Sequence, residues 1–169
     1  FAVFVVDNTN RTEARYWIDD FLRVRQRQDN YHNTHNTLAM CKKYVTKHLS
    51  KEFEVSKADQ AELLNETMKY FQEQESFSMD DFSEKVIRQP EVVESFTRFR
   101  QEYEQDRDIR IEDEFGISDS AVKKQARSYK SVIKLDRNFH IYVHGNRNLL
   151  EQGEDEKGKF YKVYYEEEE

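Results

Sequence analysis

Lys123, Lys124, Arg127, Lys130, Lys134 and Arg137 gather six cations against a single acid, Asp136, within fifteen residues. Side chains of this type neutralise phosphates and release condensed counterions, so their chemistry is electrostatic capture of a polyanion. At 3.6 residues per turn Lys123, Arg127 and Lys130 share one helical face and can follow a phosphate backbone. The competing reading is a set of solubilising charges on the outer side of an amphipathic helix. The whole chain holds 27 Lys and Arg against 34 Asp and Glu, a net charge of -7. It is therefore no general polycation, and any DNA contact must come from a local patch. Residues 166–169 are all Glu and read as a solvated tail.

Other candidate chemistry is thinner. The run EFGISDSAV at 114–122 echoes the turn and second helix of a helix-turn-helix, but residues 107–114 are mostly charged and offer little apolar face for a first helix. A Ser118-capped helix start is expected instead, and base-specific readout is not. His140 and His144 fall on one strand face about 13 Å apart, too far for one metal ion. His32 and His35 lie in an expected loop with no second Cys or carboxylate motif at ligand spacing. Asp19, Asp20 and Asp136 have no evident acid/base partner. The chain lacks a glycine-rich phosphate loop, a G-x-S-x-G and an H-E-x-x-H. Cys41 sits on the apolar stripe of its helix, as a small core residue does. No catalytic, cofactor or metal site is expected, which disfavours an enzyme.

The elements that must carry the patch follow from periodicity. Residues 1–6 are apolar on both faces, a buried strand, and are expected to be cut from a longer protein. Ala14, Trp17, Ile18, Phe21 and Leu22 repeat at helical spacing, which points Trp17 and Phe21 into the core. Thr34 or Thr37 is expected to cap a second helix with Leu38, Cys41, Val45 and Leu49 inside. Ser56 with Asp59, and Ser78 with Asp81, resemble capping boxes that open two more. Pro90 ends the fourth helix near Arg88 and begins a fifth, with Val92, Phe96, Phe99 and Tyr103 on one stripe. Residues 102–113 read as a charged loop or edge piece. Ser118 then opens a sixth helix, with Ala121, Val122, Ala126 and Tyr129 facing inward.

From residue 131 to 166 the period changes to two. Ile133, Leu135, Phe139, Ile141 and Val143 alternate with polar residues, and residues 159–166 repeat the pattern after a glycine-rich turn. The expectation is an α+β fold: about six helices packed on a small antiparallel sheet formed by the N-terminal strand and a C-terminal meander. Residues 1–169 form one domain, a fragment of a longer protein. With 12 Phe and 10 Tyr the core should be aromatic. At a mean hydropathy of -1.03 nothing approaches the roughly 18 apolar residues of a membrane span. One cysteine excludes an internal disulfide and fits a reducing cytoplasm. The rings of the last run, Phe160, Tyr161, Tyr164 and Tyr165, are too many for one buried side. They suggest an interface with the absent half or a second subunit, or base stacking on single-stranded nucleic acid.

The runs KLDRNFHIYVHGNR and GEDEKGKFYKVYYEEE, with AVFVVDNTNRTEARYWIDDFL near the start and MKYFQEQESFSMDDF in the middle, resemble the bacterial 37-kDa nucleoid-associated protein family. The resemblance covers nearly the whole chain, which would form the C-terminal half of a member. It implies non-catalytic DNA binding or nucleoid organisation, a cytoplasmic location at the nucleoid, and the member's own N-terminal half as a partner. A scaffold or homo-oligomerisation module, with DNA contacts confined to the absent half, is the alternative. A hydrolase or nuclease with an unrecognised site is the third.

Overall fold

Asp29 starts the first helix described in the computed structural model, which covers residues 17, 21–22, 28–129, 132–143 and 147–167. Its carboxylate accepts from the His32 amide at 2.9 Å, so helix α1 spans Asn30–Lys43 and the expected Thr34 or Thr37 cap moves inside it. His32 and His35 are thus helical and not in a loop. Thr34 and Thr37 are fully buried; Thr37 donates to the Asn33 carbonyl, and Thr34 accepts from the Ser118 amide at 3.0 Å. A π turn at Tyr44–His48 leads into α2 (Leu49–Glu52).

Helix α3 (Lys57–Glu73) opens on the expected capping box: the Asp59 amide donates to Ser56 Oγ at 3.1 Å, and Asp59 Oδ2 accepts the Ser56 amide at 2.9 Å. Such a cap is worth about 1 kcal/mol. The second expected box does not form. Ser78 makes no capping bond, and Asp81 instead accepts from the Tyr70 hydroxyl and pairs with Lys85. Strand β1 (Ser76–Ser78), α4 (Met79–Phe82) and a π turn at Ser83–Ile87 precede Arg88, whose φ of 65° breaks the helix before Pro90 takes the N1 position of α5 (Pro90–Arg107).

Helix α5 runs further than its charge density suggests. Arg100 pairs with Glu104 one turn on and reaches forward to Asp113 Oδ1 and the Ile111 carbonyl, both at 2.5 Å. Those bonds fold the expected loop back over the helix and bury Ile111. Strand β2 (Glu114–Gly116) then pairs antiparallel with β1, setting Phe115 opposite Phe77. A Cβ on Gly116 would lie 2.6 Å from Asn30 Nδ2, so a larger residue there would have to push the exposed Asn30 side chain aside. This strand replaces the first helix that a helix-turn-helix would need. Helix α6 (Asp119–Ala126) follows.

Around these elements lies one aromatic core. Phe71, Phe77, Phe82, Phe96, Phe99, Phe115, Tyr44, Tyr70 and Tyr103 are all buried in it, and the Phe77 and Phe115 rings stack with centroids 4.8 Å apart. Trp17 and Phe21, expected there too, are 42% and 64% exposed and meet each other edge to face. Helical spacing marks an apolar face but does not say what covers it.

The α+β class holds, yet the strands are distributed differently from the single expected sheet. Among the described residues they form three two-stranded antiparallel ladders: β1 with β2, β3 (Val132–Leu135) with β4 (Phe139–Tyr142), and β5 (Leu150–Asp155) with β6 (Gly158–Val163). A 3-10 turn at Arg147–Leu149 separates the last two hairpins. Ile133, Val143 and Leu150 pack with Ala58 and Ala61 of α3 into a small second core. The Asn65 side chain fastens it by donating to the Val143 carbonyl at 3.1 Å. Residues 1–6, most of the expected first helix, Lys130 and His144 lie outside the described residues.

Candidate nucleic-acid interface

Helix α6 is held by its inner face. Ala121 and Val122 are buried, and the chain after the helix is fixed by Tyr129, whose hydroxyl donates to the Leu38 carbonyl of α1. Burial raises the Tyr129 phenol well above its ordinary pKa, so it stays a donor. With that face committed, Lys123, Lys124 and Arg127 are exposed. Lys123 and Lys124 therefore stand on one short helix, and Arg127 is the residue that caps its end. Lys134 and Arg137 are also exposed, but they belong to the β3–β4 hairpin that docks on α3; Lys134 stands opposite His140 in the ladder. Lys130 is not among the described residues.

The electrostatic setting separates these cations from five others. Arg98 pairs with Glu52 and Glu94, Arg100 with Glu104 and Asp113, Arg88 with Glu66, Lys85 with Asp81, and Lys162 with Glu151. None of Lys123, Lys124, Arg127, Lys134 and Arg137 makes an ion pair with a carboxylate among the described residues. A cation already paired must give up its carboxylate before it can take a phosphate; these need not.

Two residues that the sequence did not single out for this patch adjoin it. Lys124 Nζ donates to the Tyr31 hydroxyl at 3.3 Å and lies 5.9 Å from the centre of that ring. Tyr31 in turn lies nearly parallel to His35 one turn on, at 6.3 Å and 11°. Gln125 reaches His35 Nδ1 at 2.9 Å. The polar side of α6 thus lies beside aromatic side chains of α1. The signal was the i, i+4 spacing of Tyr31 and His35, hidden while the segment read as a loop.

Among the described residues the remaining candidates carry no catalytic geometry. Cys41 is 2% exposed, and burial pushes its thiol far above the usual range, so it holds no thiolate. His32 is bound to Asp29 at 2.7 Å. Among the described residues no group of three His, Cys, Asp or Glu is placed to hold a metal ion. The open cleft between the start of α3 and β5 is lined by Glu54, Asp59, Glu151 and Glu154 with Lys159, a balance that repels a polyanion. No described helix is long and apolar enough to cross a membrane.

The family model described as "NA37: Nucleoid-associated protein YejK" matches residues 1–168. The chain belongs to this family. No curated protein and no solved structure matches it. Membership supports a role in nucleoid organisation and bears out the kinship read from the four sequence runs.

Proposed function

We propose that this domain contributes to nucleoid organisation in the bacterial cytoplasm by non-catalytic, sequence-independent contact with DNA phosphates. Lys123, Lys124 and Arg127 are the principal contacts, and Lys134 and Arg137 extend the patch onto the hairpin. One observation carries this reading: in an acidic protein, Lys123, Lys124 and Arg127 stand exposed together at α6 with no carboxylate paired to them among the described residues. Phosphate contact by side chains on a helix surface fixes position without reading bases, which fits a protein that must act at many chromosomal sites.

The test is binding of a fluorescent DNA duplex by the chain across a salt series. Each phosphate contact contributes about -0.9 to the slope of log K against log salt, so Lys123→Glu with Lys124→Glu and Arg127→Glu should flatten the slope by roughly 2.7. Circular dichroism of the triple variant should match the parent, because all three side chains are exposed. Unchanged affinity in a folded variant rejects the site. Metal-dependent nicking of the duplex would favour the hydrolytic reading instead.

A second reading, a homo-oligomeric scaffold, is favoured by a separate observation. Val163, Tyr164 and Tyr165 are 54%, 48% and 69% exposed at the end of β6.

A further inference from the structure

From Asn30 to Lys51 the chain carries no Asp or Glu, although acids make up 34 of its 169 residues. The stretch forms one helical rod: α1, the π turn at Tyr44–His48 and α2 follow each other with every junction in the right-handed helical region. Lys43, Lys47 and Lys51 are exposed along its second half at four-residue steps. Four residues overshoot one α-helical turn by about 40°, and the wider π turn takes up part of that overshoot. The three lysines therefore stand nearly in line, about 6 Å apart along the axis.

A solvated helix face normally mixes its charges. On α5, Arg98 pairs with Glu94 and Arg100 with Glu104, each four residues apart. On the rod the same spacing sets lysine against lysine, which opposes helix formation. The acid that follows, Glu52, is already engaged: the Ser95 hydroxyl, His48 and Arg98 hold its carboxyl below the usual range, and Arg98 meets it at 3.1 Å. Lys43, Lys47 and Lys51 make no ion pair among the described residues. Lys43 is held another way, with Nζ 5.3 Å from the centre of the Tyr103 ring and 6.0 Å from that of Phe99. A ring positions an ammonium group without cancelling its charge. Lys124 over Tyr31 repeats the arrangement on α6.

We propose that Lys43, Lys47 and Lys51 form a second phosphate-contacting row for duplex DNA, separate from the cations of α6. The inference rests on the DNA-contact reading of this domain and adds a surface to it. From Tyr31, where Lys124 sits, to Lys43 is about 120° beyond three full turns. The two sets of cations therefore lie on different flanks of α1, one beside α6 and the other beside α5. Lys43 to Lys51 spans about 12 Å, the axial rise of three to four nucleotides of one strand at about 3.4 Å each. The row has the length to follow one strand's backbone, and it reads no bases.

Binding of a fluorescent duplex across a salt series separates the two surfaces. Lys43→Glu with Lys47→Glu and Lys51→Glu should flatten the slope of log K against log salt by roughly 2.7, and adding the α6 reversals should flatten it by roughly as much again. Lys43→Arg with Lys47→Arg and Lys51→Arg should keep the parent slope, since the charges survive. Should circular dichroism show that the triple reversal disturbs the fold through Lys43, the pair Lys47→Gln and Lys51→Gln should still flatten the slope by roughly 1.8. A folded row variant with the parent slope, beside α6 reversals that flatten it, overturns the second row and leaves the α6 reading standing. A slope flattened by the row variant and not by the α6 reversals supports the row and rejects the α6 site. A parent that binds no duplex at low salt overturns both.

Discussion

The helical body and the C-terminal hairpins are built on different scales. In the body, Phe77 alone lies against the rings of Phe71, Phe82, Phe115 and Tyr70, with centroids 4.8 to 6.1 Å apart. The hairpins rest on two alanines of α3 through Ile133, Val143 and Leu150. Aromatic side chains bury the larger area and gain further from edge-to-face and offset contact, so the body holds most of the cohesion. The lesson is that one chain can carry a densely packed body and a more lightly fastened appendage. The α6 cations stand on the first and Lys134 and Arg137 on the second.

The contrast can be broken from the body's side. Phe77→Ala empties the centre of the ring stack and should cost about 4 kcal/mol, read as a lower urea midpoint in both regions at once, since the hairpins lose the α3 platform when the body unfolds. Ile133→Ala attacks the other side. It should cost about 2 kcal/mol, near the low end for such a truncation because a shallow core can collapse around the gap. Its signature is local: amide exchange should quicken through residues 132–163 while α1, α3 and α5 keep their protection. If Ile133→Ala lowers the protection of α5 as much as that of β3, the two regions are one cooperative unit and the contrast is wrong.

What could be read from sequence divides along the same physical lines. The Ser56 and Asp59 box, the Pro90 start and the inner stripe of α5 were legible because each is settled within a turn or two of chain. The start of α1 was not. Its inner face begins with Asn33, Thr34 and Thr37, polar residues buried by bonds to the backbone and to the start of α6, and a pattern of apolar residues cannot show them. The β1–β2 ladder is three residues a side and joins positions some 38 apart, so neither strand is long enough to announce itself. The expected meander divides because the turn before Leu150 sends that side chain into the α3 platform, leaving β5 to pair with β6 alone. For the candidate site, the cations were visible as types, but their freedom from carboxylates depends on which acids the fold brings near. Tyr31 and His35 beside α6 depend on the crossing of two helices ninety residues apart.

Cys41 carries a practical consequence of the sealed aromatic core. A lone thiol at the midpoint of the body is a chemical clock: an alkylating reagent reaches it only when that interior breathes open, and detachment of the hairpins leaves it silent. The rate of its modification therefore times the opening of one region without any label being introduced.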